Sequence, residues 1–326
     1  MVTQPVQEDH ASDVDSDDPD TFDGLFADPP DYYPPSPPPT TEKHALGRSG
    51  VQLTLHLVGH SVLEAHRLWN GSRVMADYFE EEQEQGRDLV RGKTVLELGA
   101  GAALPGIVCG LVLGARKVVV TDYPDPDLVA TMWRNVKEAE AGLASTAGSA
   151  ALQAAYAGPG TVVADGYIWG GDPLPLLKHL ETSAPKASDD LRYDVVLLAD
   201  LLFRHAEHSK LAYSIAQTLK KTPASRSYVF FTSYRPWLRH KDLAFFGDAC
   251  AAGLVIEHLL ERRLEKPPLF FENDPGDADV RSTVSGYSLR WPVNGENPAS
   301  FWPPPGGIAG AADTAAATRR EETASS

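Results

Sequence analysis

A strand-like run, Thr94-Val95-Leu96-Glu97-Leu98, passes directly into Gly99-Ala100-Gly101-Ala102-Ala103, and a second run, Lys117 to Thr121, ends in Asp122. Glycine at such a turn removes the Cβ atoms that keep a ligand off a strand end. A carboxylate at the tip of the next strand can accept hydrogen bonds from both hydroxyls of a ribose. Together these residues read as a site for a nucleotide-like ligand. For Asp122 alone the competing reading is plain turn chemistry, since Asp122-Tyr123-Pro124-Asp125-Pro126-Asp127 is rich in turn formers.

Two more strand-like runs end in residues that can do chemistry. Thr161 to Ala164 leads into Asp165-Gly166-Tyr167-Ile168-Trp169-Gly170, offering a carboxylate for an exocyclic amine and an indole to stack on a purine. Tyr193 to Leu198 leads into Ala199-Asp200-Leu201-Leu202-Phe203-Arg204-His205, where an activated group and its nucleophile would meet. One shared site explains these strand ends more simply than four unrelated turns. The glycines help to choose its ligand. A dinucleotide fingerprint wants Gly or Ala three residues past the second glycine, so that a helix N-terminus meets the pyrophosphate; Leu104 stands there. S-adenosylmethionine carries no phosphate, and with Glu97 two residues before the first glycine the pattern resembles the first motif of the class I methyltransferases that use it.

Such residues need a scaffold that brings strand ends together. Thr94 to Leu98, Lys117 to Thr121, Thr161 to Ala164, Tyr193 to Leu198 and Tyr228 to Thr232 read as fully buried strands, the pattern of a parallel sheet covered on both faces. Leu254 to Leu260 and Val284 to Trp291 follow, separated by an irregular stretch from Glu265 to Asp279, and predict a terminal hairpin. Helices are predicted at Leu104 to Gly114, Asp127 to Ala141, His205 to Lys221 and His240 to Ala252. The second has Asp125 as N-cap and Pro126 at its first position. Strands alternating with helices imply a doubly wound α/β fold.

Charge and composition divide the 326 residues further. The formal charge is −16, and residues 1 to 42 hold 11 Asp and Glu with no Lys or Arg. Nine of the 26 prolines also fall before residue 46, so residues 1–45 read as an acidic, Pro-rich disordered arm. Phe22, Leu25, Phe26, Tyr32 and Tyr33 give that arm a docking cluster that a purely solvating tail lacks. Residues 46–292 are the expected folded domain, and 293–326 a second disordered tail. A mildly acidic body lacks the basic footprint of a nucleic-acid or anionic-membrane binder. Leu98 to Ala115 is long enough to span a bilayer, but its five glycines and Pro105 argue for a turn and a short helix instead. Cys109 and Cys250 sit among small or apolar residues and read as buried thiols of a reducing, cytoplasmic compartment. The polar, acidic start from Met1 to His10 carries no secretory or transit pattern.

The resemblance then becomes specific. Leu57-Val58-Gly59-His60-Ser61, Leu68-Trp69-Asn70, Val119-Val120-Thr121-Asp122-Tyr123-Pro124-Asp125-Pro126-Asp127-Leu128 and Glu207-His208-Ser209-Lys210-Leu211 resemble the fungal N-terminal and lysine N-methyltransferases of elongation factor 1-alpha, earlier grouped as nicotinamide N-methyltransferase-like proteins. The similarity runs from about Gly24 to about Trp291. It implies the class I fold, a seven-stranded Rossmann-like sheet with an antiparallel terminal strand. It also implies S-adenosylmethionine as cofactor, with contacts from Trp69, Gly99, Ala100, Gly101, Asp122, Trp169 and, through its backbone, Ala199. The implied partner is elongation factor 1-alpha, methylated on its α-amine and the adjacent lysine by a monomer. Three departures stand out: Phe203 replaces the tyrosine of the Asp-x-x-Tyr that related lysine methyltransferases carry, Arg204 occupies a place where relatives often have Asn, and Ala103 stands where many have a third glycine.

Methyl transfer to an amine needs alignment, a water-poor pocket and an unprotonated nucleophile rather than an acid–base triad. Asp200 is the candidate for orienting that amine. Methylation of a small heteroaromatic amine such as nicotinamide, and a silent cofactor-binding module, are the alternatives. No metal is expected: His205 and His208 are three apart without a matching third ligand, and read as helix-start or surface histidines. Trp237 and Trp291 read as core residues.

Overall fold

Two strands open the described part of the chain, ahead of the sheet expected from the sequence. The computed structural model describes residues 37–145 apart from His60 and Val62, together with Gly158, 160–180, 191–265, 276–300 and Trp302. Most of the acidic arm, the Ala/Gly-rich stretch before Gly160, much of the loop before Asp279 and the end of the tail lie outside these residues. Strands β1 (Thr40–Ala45) and β2 (Gln52–Leu57) form an antiparallel hairpin. Leu53, Leu55 and Leu57 alternate inward along β2, which is what fixes its register. The folded part thus begins before residue 46: the prolines stop at Pro39, and the six residues of β1 are free to pair.

Helix α1 (Asn70–Glu84) was not apparent from the sequence. It buries Val74, Met75, Ala76 and Phe79, and Phe79 meets Tyr228 edge-on at 5.0 Å. The hairpin rests partly on this helix, because Glu80 accepts the amides of Arg48 and Ser49 in the β1–β2 turn (3.0 Å each).

The expected sheet follows. Strand β3 (Thr94–Leu98) leads to α2 (Leu104–Ile107), which widens into a π-helical turn at Val108–Val112. Next come β4 (Lys117–Asp122), α3 (Pro126–Ser145), β5 (Val162–Gly166), α4 (Leu174–Lys178) and β6 (Val195–Ala199). Asp125 caps α3 as expected, its Oδ1 accepting from Leu128 N at 3.0 Å. A 3-10 turn at His205–Glu207 precedes α5 (His208–Thr218), then β7 (Arg226–Thr232), α6 (Arg239–Ala251), β8 (Val255–Arg263), α7 (Ala278–Ser282) and β9 (Thr283–Arg290).

Seven strands form one sheet in the order β5-β4-β3-β6-β7-β9-β8. The first five run parallel, and β9 is inserted between β7 and β8, antiparallel to both. Register matters for the site. Leu98 lies beside Thr121 and Leu198, Thr121 beside Asp165, and Ala199 beside Phe230, so the carboxyl ends of β3 to β7 share one edge. Apolar side chains fill both faces, with Met75, Ile107, Val118 and Val136 on one and Leu198, Leu211, Phe245 and Leu289 on the other.

Some single-residue expectations change. Trp237 is exposed rather than core, at 50 %. Cys109 is a fully buried free thiol, whereas Cys250 is half-buried and donates to Pro298 O. His208 starts α5, one of the two places expected for it, but is buried rather than on the surface and bonds to Leu202 O at 2.8 Å. The segment after residue 292 is packed where it is described: Glu296 pairs with Arg290, and Trp302 lies 4.7 Å from the Phe246 ring. Among the described residues no helix is long and apolar enough to cross a membrane.

Candidate active site

The turn after β3 is built from positive φ angles, 60° at Gly99 and 53° at Gly101. A Cβ at Gly99 would lie 2.6 Å from Leu201 Cδ2 and 2.9 Å from Trp169 Cζ2, so the backbone is pressed close to the opposite wall. At Gly101 a Cβ would meet nothing within 4 Å, and the chain there faces open space. Ala103 also has positive φ, 63°, which gives the physical reason a glycine suits that place; here a buried alanine bears the strain.

All eight expected site residues, Trp69, Gly99, Ala100, Gly101, Asp122, Trp169, Ala199 and Asp200, line a single cavity of about 300 Å³ at the carboxyl ends of the strands. It opens where β3 is flanked by β4 on one side and β6 on the other, the switch point at which doubly wound sheets bind ligands. Asp122 Oδ2 accepts from Gly101 N and its Oδ1 from Tyr123 N, both at 2.7 Å. Burial raises its carboxyl above the ordinary range, while the two amides and the Arg204 charge oppose that rise. Lone pairs remain on both oxygens for a diol.

Trp69 reaches the cavity from the segment before α1. Its Nε1 donates to Glu64 O at 2.8 Å, and its ring lies 4.9 Å from that of Tyr234 and 6.4 Å from that of Phe203. Asp165 does not join them. Its carboxylate accepts from His179 and Gly166 N, at 2.8 Å each, and it is not among the residues lining the cavity. Glu97 is also outside the cavity. It is wholly buried, its Oε2 accepts from Gly106 N at 2.8 Å, and burial pushes its carboxyl up to about 8. Glu97 therefore holds the first turn of α2 rather than a ligand.

Asp200 has positive φ, 54°, and is 4 % exposed. Its Oδ1 accepts from Thr232 N at 2.7 Å, and its Oδ2 from Gly71 N and from the Tyr234 hydroxyl at 3.4 Å. Burial pushes this carboxyl up to about 7, against the pull of those donors. Gly71 is the second residue of α1, whose own N-cap position, Trp69, has no side-chain acceptor. The helix is therefore capped in trans by the end of β6.

Tyr234 and Asn135 were missed from the sequence. Tyr234 lies two residues past the end of β7, and that position beside the other strand ends was the available signal. Asn135, in mid-α3, accepts from His56 N (2.7 Å) and donates to His56 O (2.9 Å) and Ala102 O (3.1 Å), joining the hairpin to the glycine turn. Nothing local announces that role. Among the described residues no group of three or more His, Cys, Asp or Glu could hold a metal; His205 instead bonds to Asp242 at 2.7 Å.

A parallel sheet closed by a strand slotted antiparallel between its last two neighbours is the arrangement that the resemblance to S-adenosylmethionine-dependent methyltransferases implies. The cavity suits that cofactor, with unobstructed backbone at Gly101, a carboxylate at Asp122 and indoles from Trp69 and Trp169. Residues 52–156 match the lysine methyltransferase family. The chain is 50% identical over 299 residues to the protein N-terminal and lysine N-methyltransferase efm7 of Neurospora crassa, covering 92% of this chain and 96% of that one. It is 48% identical over 270 residues to the protein of that name in Gibberella zeae, covering 83% and 95%, and 38% identical over 273 residues to the one in Schizosaccharomyces pombe, covering 83% and 96%. The chain belongs to this family of protein N-terminal and lysine N-methyltransferases, and S-adenosylmethionine is its methyl donor. Among solved structures it is similar to an arsenic(III) S-adenosylmethionine methyltransferase from Chlamydomonas reinhardtii, with TM-score 0.38 and 16% identity over 64% of this chain and 66% of that one.

Proposed function

We propose that this enzyme methylates the N-terminal α-amine and the adjacent lysine of elongation factor 1-alpha, working as a monomer in the cytoplasm. The names of the relatives support an amine on a protein, and the motif resemblance supports this particular factor. Free Cys109 and Cys250 suit a reducing compartment.

The observation that carries the amine chemistry is Asp200, which lines the same cavity as the glycine turn. Bound S-adenosylmethionine supplies a methyl group already activated on a sulfonium. Asp122 would hold its ribose, Trp169 its adenine, and Trp69, Gly99, Ala100, Gly101 and the Ala199 backbone the remainder. Leu63, Leu68, Leu201 and Phe203 make the wall apolar, which excludes water and favours the neutral form of an entering amine. Asp200 orients that amine by accepting one of its N–H groups. Because three donors already fix the carboxylate, little orientational freedom is lost when the amine arrives.

The test is full-length enzyme with labelled S-adenosylmethionine and purified elongation factor 1-alpha, native or with its α-amine acetylated, the label being located by peptide mass spectrometry. Label on the first two residues of the native factor, lost from the α-amine after acetylation, supports the proposal. Label elsewhere in the factor, or only on added nicotinamide, overturns it.

A further inference from the structure

Tyr234 joins two parts of the site that come from distant stretches of chain. Its hydroxyl accepts from Asn70 N at 3.1 Å and donates to Asp200 Oδ2 at 3.4 Å, so it completes the cap on α1 that Asp200 begins. Its ring lies 4.9 Å from the ring of Trp69, tilted by 54°, on the helix-leading segment that lines the cavity. Trp69, Asn70 and Gly71 are thus gripped in sequence, the first by the Tyr234 ring, the second by its hydroxyl and the third by Asp200. Tyr234 does not itself line the cavity. Its place is behind the two residues that do.

We propose that Tyr234 is a positioning residue for methyl transfer, its ring setting Trp69 against the cofactor and its hydroxyl holding the Asp200 carboxylate toward the amine. The inference rests on the amine-orienting reading of Asp200 given above. The two handles are chemically separate. A phenylalanine keeps the ring and loses the hydroxyl, whereas a leucine loses both.

The hydroxyl has a predictable electrostatic effect. As a donor to Asp200 it favours the ionised carboxylate, along with Thr232 N from β7 and Gly71 N from α1, whereas burial and the Asp242 carboxylate on α6 favour the neutral form. Removing the hydroxyl therefore shifts Asp200 titration to higher pH. The acidic limb of the rate profile, below which Asp200 is protonated, moves with it.

The experiment uses the full chain with Tyr234→Phe and Tyr234→Leu, each shown folded by circular dichroism. The Asp200 carboxyl is followed by carbon-13 NMR, with its signal assigned by Asp200→Asn, cofactor affinity by calorimetry with S-adenosylmethionine, and kcat against pH with elongation factor 1-alpha. Tyr234→Phe should raise the Asp200 titration by about half to one pH unit, move the acidic limb of kcat equally, and leave cofactor affinity unchanged. Tyr234→Leu should add a loss of about three- to tenfold in cofactor affinity. An unmoved Asp200 signal in Tyr234→Phe, or wild-type cofactor affinity in Tyr234→Leu, overturns the proposal. Should the wild-type enzyme leave elongation factor 1-alpha unlabelled, the acceptor assignment fails while the NMR and calorimetric results still decide the role of Tyr234.

Discussion

Gly101 gives its amide hydrogen to Asp122 across 2.7 Å, which makes the glycine turn and the carboxylate on the next strand one hydrogen-bonded unit. The carboxylate therefore shapes the turn as well as facing the cavity, and a substitution at Asp122 acts twice.

Asp122→Ala is expected to weaken S-adenosylmethionine binding by at least ~100-fold, since two hydrogen bonds to a charged acceptor are together worth ~3 kcal/mol or more. Asp122→Asn keeps one acceptor oxygen and should lose less. Calorimetry on both variants checks the order; equal affinity in wild type and Asp122→Ala would take the residue out of the binding site.

Gly99→Ala should damage the cofactor site more than the fold. The new methyl would need to push aside Leu201 Cδ2 and Trp169 Cζ2, and the residue would have to keep a φ of 60°. Left-handed strain costs about 1 to 2 kcal/mol. Displacement of the indole should add a loss of about tenfold or more in cofactor affinity. Thermal unfolding and calorimetry on the same preparation separate the two, and unchanged affinity would show that Trp169 does not contact the ligand.

Glu97 sets a pH dependence of stability. Its carboxyl, ordinarily at 4.5, is raised to about 8 by burial, so over that interval the folded protein holds a proton that the unfolded chain has released. Stability from this group is complete below pH 4.5 and falls as pH rises toward 8, by at most about 1.4 kcal/mol per pH unit. Asp200 adds a similar slope up to about pH 7. Glu97→Gln, which can still accept from Gly106 N, should flatten the decline and be at least as stable as wild type at pH 8. Urea midpoints across this range measure it, and parallel wild-type and variant curves would sink the assignment.

Asn135→Ala leaves three backbone groups without their buried partner. An expected loss of about 2 to 4 kcal/mol follows from unsatisfied groups at His56 and Ala102. Because Ala102 belongs to the glycine turn, cofactor affinity should fall too, although Asn135 is not among the residues lining the cavity. Denaturant unfolding gives the first quantity and calorimetry the second; a stability loss with intact affinity would separate the hairpin from the site.

What could be read from the chain was what a short window contains. The seven strands of the main sheet were visible because Val118 to Val120 or Val195 to Leu198 are unbroken buried runs, and much of the cavity lining was visible because glycines and carboxylates stand at their ends. Helix α1 was hidden because it starts at Asn70-Gly71-Ser72 without an N-cap of its own; its cap comes from Asp200, 129 positions away. Asp165 was misplaced because the sequence shows where a carboxylate falls along a strand, not which neighbour it will find, and here His179 takes it. Tyr234 and Asn135 matter only through partners far along the chain.

The union of Asn135 with His56 spans 79 positions, and that has a consequence for synthesis. On a ribosome the hairpin emerges well before the helix that will tie it down. At about 5 to 20 residues per second, β2 waits roughly 4 to 16 s for Asn135, and longer for the β6 carboxylate that caps α1. Through that interval Leu53, Leu55 and Leu57 lack α3, whose Met132 and Val136 share their core cluster, so the nascent chain shows a sticky strand to its surroundings. Slower decoding of codons between β2 and α3 would lengthen this exposure and favour capture by a chaperone or by another nascent chain.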